Sequence, residues 1–137
     1  MRYLIIISIF FISNAWAMKP LPFVDLTPTL AKKLGFRVSF EVTNSNTTMS
    51  IAAPNTIDSC SFRRSVVEVI NSNGDIVAGT ILNASLSNDE IYIDGYIADS
   101  ALNMRVGITY ICIPNSGKRG KIYMVNSIKD FLISTQQ

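Results

Sequence analysis

The chain has 137 residues, no histidine, two cysteines, and 12 Lys and Arg against 10 Asp and Glu. Without histidine it has no Ser-His-Asp or Cys-His nucleophile and no His-ligated metal site. A formal charge of +2 gives no global attraction to nucleic acid or to anionic lipid.

Residues 1–17 read as a secretory leader. Arg2 is the positive start, residues 4–12 are a short apolar run, and Ala15-Trp16-Ala17 is a small-x-small cleavage site. The cut is expected before Met18. The apolar run falls far short of the ~20 residues that span a bilayer. No later stretch is long enough either, so no membrane insertion is expected after cleavage; an uncleaved anchor is the alternative. The expected organisation is a cleaved signal peptide over 1–17 and a single domain over 18–137, periplasmic or secreted. Cleavage takes with it Arg2 and Trp16, the only tryptophan. Cys60 and Cys112 remain. In an oxidising compartment an even count reads as one disulfide. It would close a loop of about 50 residues, worth roughly 4 kcal/mol on the chain-entropy model. Two free thiols are the alternative.

Residues 18–25 hold Pro20 and Pro22 and read as extended. Residues 27–35 read as a short helix: Thr27 can cap it, Pro28 suits its first turn and Gly35 can end it. Lys32 and Lys33 sit at the negative end of its dipole. From Phe36 to Thr43, apolar Phe36, Val38, Phe40 and Val42 alternate with polar residues, the period of a half-buried strand. A turn at 44–47 and a second strand at 48–53 complete a hairpin. Residues 54–59 read as a connection. A strand over 60–70 meets Asn73-Gly74, a hairpin turn, and returns at 75–78. Residues 80–86 extend that strand or cross between sheets.

After a polar turn at 87–90, residues 91–97 form a strand with Gly95 a candidate bulge. Residues 104–114 are the most apolar β-type run outside the leader. Both its faces are apolar, so it reads as a central strand. A turn at 115–120 leads to a returning strand at 121–125. Residues 127–133 are a last strand or one helical turn.

Tyr110 lies two residues before Cys112, and Cys60 lies upstream near a strand start. This resembles the tyrosine-corner and inter-sheet disulfide arrangement of immunoglobulin-type domains. With the strand count, the resemblance implies an all-β, immunoglobulin-like antiparallel β-sandwich of about seven strands. One disulfide between Cys60 and Cys112 would tie its two sheets, and a short N-terminal helix would precede it. The chain departs from antibody-type domains in lacking a core tryptophan after cleavage.

Chemistry is narrowly bounded. No Ser-x-x-Lys and no Gly-x-x-x-x-Gly-Lys occurs, and bonded cysteines offer no thiolate. Asp89, Glu90, Asp94 and Asp99 could supply a glycosidase-type carboxylate pair, though acids at a turn are ordinary. Residues 71–75 alternate oxygen-bearing side chains but lack a calcium loop's glycine and closing glutamate, so a hairpin turn is the better reading. No cofactor and no metal are expected. Lys118, Arg119 and Lys121 make a basic hairpin tip suited to an acidic partner. Arg63-Arg64 and Lys32-Lys33 are further basic pairs; scattered solvated charge is the bland alternative. Tyr92, Tyr96 and Tyr123 could form an exposed aromatic patch, and Tyr92 and Tyr96 share the polar side of their strand with Asp94, which favours exposure and partner contact; tyrosines that cover a sheet face are the bland alternative.

The expected function is that of a non-enzymatic exported binding module acting through protein–protein contacts. The alternative is a periplasmic inhibitor or immunity protein that blocks another protein's active site. A bare sheet edge would favour the first; a charged loop built to enter a pocket would favour the second.

Overall fold

A computed structural model of the chain describes residues 19–132. The leader over 1–17 and its cleavage site lie outside the described residues. Ten strands occur among the described residues: β1 (Phe23–Asp25), β2 (Arg37–Val42), β3 (Thr47–Pro54), β4 (Thr56–Ile57), β5 (Cys60–Ile70), β6 (Ile76–Leu82), β7 (Ala84–Ser87), β8 (Glu90–Ile97), β9 (Asn103–Cys112) and β10 (Lys121–Val125). Helix α1 (Pro28–Leu34) follows β1, and a 3-10 helix, Ile128–Phe131, follows β10. The count exceeds the seven expected because β1, β4 and β7 are too short to show a two-residue period.

The strands form two sheets. One runs β1-β10-β9-β5-β4, with β6 also on β5; the other runs β2-β3-β8-β7. β1 joins β10 in parallel, and the remaining pairs are antiparallel. β9 is central, between β10 and β5. Its Met104, Val106, Ile108, Tyr110 and Cys112 alternate into the interior and are all buried. Phe40, Ile51 and Ile93 of the other sheet join them in one core cluster.

Helix α1 forms where its caps direct. The Thr27 hydroxyl accepts from Leu30 N at 3.3 Å, and Gly35 ends the helix in the left-handed region at φ 86°. Ala31 is buried beneath it, with Leu30 and Leu34 against the core.

Cys60 and Cys112 are bonded, but not between sheets. They are direct partners in the β5–β9 ladder, with Cα atoms 3.9 Å apart. The expected staple across the core is therefore corrected: both cysteines belong to neighbouring strands of one sheet. A side chain does cross the core nearby. The Tyr110 hydroxyl donates to Pro54 O, at the end of β3, at 2.5 Å. A tyrosine corner bonds back only a few residues upstream, whereas Pro54 is 56 positions away and on the facing sheet.

Gly95 is not a bulge, since the β3–β8 ladder runs through it without a shift. A Cβ there would meet Met49 Cε at 2.7 Å, so the glycine makes room for that side chain. The bulges lie along β5 and its partner β6 instead. One falls between Phe62 and Arg64 and leaves Arg63 without a partner position. The other register shift, opposite Val69 and Ile70, leaves Val77 of β6 unpaired, so that bulge is on the partner strand. In β5 the extra residue reverses the alternation, so Cys60 is buried before the bulge and Ser65 and Val67 after it.

Candidate binding surfaces

The basic hairpin folds over a cavity. β9 and β10 are joined by residues 113–120, and Asn115, Gly117 and Gly120 there have φ of 71°, 71° and 93°. A Cβ on Gly120 would fall against Tyr110 O, so only glycine lets the loop approach β9 so closely. Lys118 Nζ donates to Asp58 O at 3.0 Å, and the Arg119 guanidinium donates to Lys19 O. These two bonds draw the loop toward the β4–β5 turn and the N-terminal segment. Beneath it lies a cavity of about 680 Å³. Tyr110, Tyr123, Ile57 and the disulfide line its floor, and Pro20 and Pro22 form a wall. Lys19, Lys118, Arg119 and Lys121 surround it with one acid, Asp58.

The floor is electrostatically dry. Burial pushes the Tyr110 phenol well above its ordinary range, with a smaller push from Tyr123. Tyr123 is raised by burial first and by the Asp58 charge second. Both phenols stay neutral at ordinary pH.

Tyr92 and Tyr96 lie on the other sheet, so the structure does not bring them to the basic hairpin. Tyr96 is 64% exposed and Tyr92 36%. Tyr92 is held: its hydroxyl donates to Glu90 Oε2 at 2.8 Å, while Arg37 grips Glu90 at 2.6 and 2.9 Å. The Arg37 hydrogen bonds, then that of Tyr92, lower Glu90 to about 2.

The acidic residues 89–99 are dispersed in role. Glu90 belongs to the ion pair just described, and its lowered pKa is the reverse of what a general acid needs. Asp99 Oδ1 accepts from Ala101 N at 2.9 Å and shapes a turn. Asp94 shares a shallow hollow with Glu41, and β3 runs between them. Two strand spacings set their backbones about 10 Å apart or more. Residues 71–75 form the expected hairpin turn, where Asn71 Oδ1 accepts from Asn73 N and Asp75 N at 3.0 and 2.9 Å. Arg63-Arg64 and Lys32-Lys33 do not line the cavity. Among the described residues no three Cys, Asp or Glu side chains gather as metal ligands, and no helix is long and apolar enough to cross a membrane.

Sequence reasoning missed one surface. β6 pairs only with β5, and the chain then crosses to the other sheet as β7, which pairs only with β8. Ile76, Val77 and Ile81 are 54%, 54% and 63% exposed, and Leu86 is 61% exposed. From Ile76 to Asn88 no residue is charged and none is proline. That gap between Asp75 and Asp89 is the signal that could have found it. No protein-family model, curated protein or solved structure matches the chain.

Proposed function

We propose that the protein is an exported, non-enzymatic binding module that holds an extended segment of another protein along β6. The observation that carries this is the bare, uncharged edge. Edge strands are ordinarily blunted by lysine, proline or short length. β6 runs seven residues without a charge or a proline, and its one irregularity, the bulge at Val77, leaves Ala78 to Leu82 a regular edge. A partner strand would gain main-chain hydrogen bonds there, and alternate side chains would set specificity. Val77 and Ile81 flank Gly79, and a Cβ at Gly79 would meet only Val67 O, at 3.7 Å. That leaves a notch for one partner side chain.

The architecture proposed with it is an immunoglobulin-like sandwich, supported by two largely antiparallel sheets sharing one core. Export is supported by the disulfide, which suits an oxidising compartment. Catalysis has little to work with: no histidine, and both cysteines bonded. The inhibitor reading draws less support, because Lys118 and Arg119 bond back to the chain's own carbonyls.

A photo-crosslinking side chain at position 81 tests the edge, with position 96 as control, in protein recovered from its native compartment. Adducts with a partner are expected at 81, and Val77→Lys should abolish them. Adducts at 96 alone, or adducts at 81 that survive Val77→Lys, would overturn the proposal.

A further inference from the structure

We infer that the cavity beside the disulfide binds a free aliphatic carboxylate of medium chain length, its tail on the aromatic floor and its head at the basic rim. The volume, about 680 Å³, is that of a small-molecule site. Its floor is apolar, and the hydroxyl of Tyr110 is already committed to Pro54 O. An extended peptide would lay N–H and C=O groups on that floor without partners. An acyl chain has no such groups. The rim decides the head: Lys19, Lys118, Arg119 and Lys121 face a single carboxylate, Asp58, so the complementary charge is negative. Lys118 and Arg119 are tethered by their bonds to backbone carbonyls, which lowers the ordering cost when an anion arrives.

This site is separate from the proposed edge. The cavity lies at the Cys60 end of β5, and β6 pairs with Ser65–Ile70. Either proposal can fail alone.

The test is displacement of a fluorescent polyene fatty acid from the exported protein by laurate, dodecanol, dodecyltrimethylammonium and acetate. Laurate should compete best, with dodecanol about tenfold weaker for lack of the charge. The cationic chain and acetate should fail. Added salt should weaken laurate binding. Lys118→Glu with Lys121→Glu should cost tenfold or more, in protein whose circular dichroism is unchanged. Asp58→Asn is the second variant. Asp58 has φ 50°, a conformation asparagine tolerates, and its bond to Lys118 uses the backbone carbonyl. It should tighten laurate several-fold, an effect a merely structural role would not produce. Failure of laurate to compete, equal competition by dodecanol, or indifference to both charge changes would overturn the inference. Binding to phosphatidylglycerol vesicles without binding to free laurate would overturn it too.

Discussion

Replacing Tyr110 with phenylalanine isolates one hydroxyl and leaves the packing in place. The ring meets Phe36, Phe62 and Tyr123 edge-on, with centroids 6.2, 6.1 and 5.7 Å away. Phenylalanine keeps those contacts. What goes is the 2.5 Å bond to Pro54 O, which joins the two sheets. Losing a buried partner of a backbone carbonyl costs about 1–3 kcal/mol. In a domain of this size each kcal/mol moves Tm by about 4 °C, so a fall of about 4–12 °C is expected. The variant also carries a pH signature. Burial raises the phenol above its ordinary value of 10.0 in the folded chain. The folded state therefore holds the proton more tightly than the unfolded one. Its contribution is complete below pH 10 and is lost as pH rises from there through the folded value. Tyr123 shifts the same way, so part of the loss persists in the variant. Thermal melts followed by circular dichroism from pH 7 to 11 measure both effects. Tyr110→Phe should start lower at pH 7 and lose less above pH 10. A variant as stable as the parent, with the same alkaline slope, would refute the inter-sheet role.

The disulfide is expected to contribute about 4 kcal/mol through the unfolded state, wherever it lies in the fold. Cys60→Ser with Cys112→Ser should lower Tm by more than 10 °C yet leave the far-ultraviolet spectrum unchanged, because the β5–β9 ladder continues beyond it; a lost spectrum would show that the bond organises the sheet. Deleting Arg63 should leave the protein folded, since it removes the unpaired residue and keeps Cys60, Phe62, Ser65 and Val67 opposite Cys112, Tyr110, Ile108 and Val106; loss of a cooperative melt would show that the bulge itself is required. Gly120→Ala should destabilise by about 1–3 kcal/mol or more through its left-handed φ and its clash with Tyr110 O, and a urea midpoint equal to the parent's would refute that contact.

The elements legible in the sequence were those whose signals are local. Thr27, Pro28 and Gly35 mark a helix by cap chemistry that needs no tertiary information. The alternation from Phe36 to Val42 marks β2 because one face is dry. What escaped reading was set by pairing between distant segments. The turn of the β4–β5 hairpin holds Asp58 and Ser59 at φ 50° and 68° without a glycine, so its usual marker is missing. The bulge at Arg63 leaves only adjacent arginines, which read as a charge pair. The two cysteines mark a bond but not its place, because strand order decides whether their strands share a sheet, and β5 lies directly beside β9. The cavity draws on residues 19–22, 57–60, 110–112 and 118–123; the basic tip, Tyr110 and the two cysteines stand out in the sequence, but no local signal places them around one cavity. The exposed tyrosines were readable from parity with Asp94, but not their separation from the basic hairpin.

β5 explains why the two proposed sites stay apart. Along one side it pairs with β9 from Cys60 to Ile70. Along the other, β4 takes Thr56 and Ile57 to Ser61 and Cys60, and β6 takes Ser65 to Ile70. Arg63 falls in the gap between those partners, where the bulge redirects the strand. The cavity end and the edge end are thus different stretches of one strand, spanning about 35 Å for its length. A ligand beneath Lys118 and a strand along β6 share no contact residue. Coupling between them would need an element with two arrangements that both occupants bias. A ladder locked by a disulfide at its first pair offers no such second arrangement. Occupancy of the cavity should therefore leave the β6 edge as receptive as before, and the two surfaces act as independent sites on one frame.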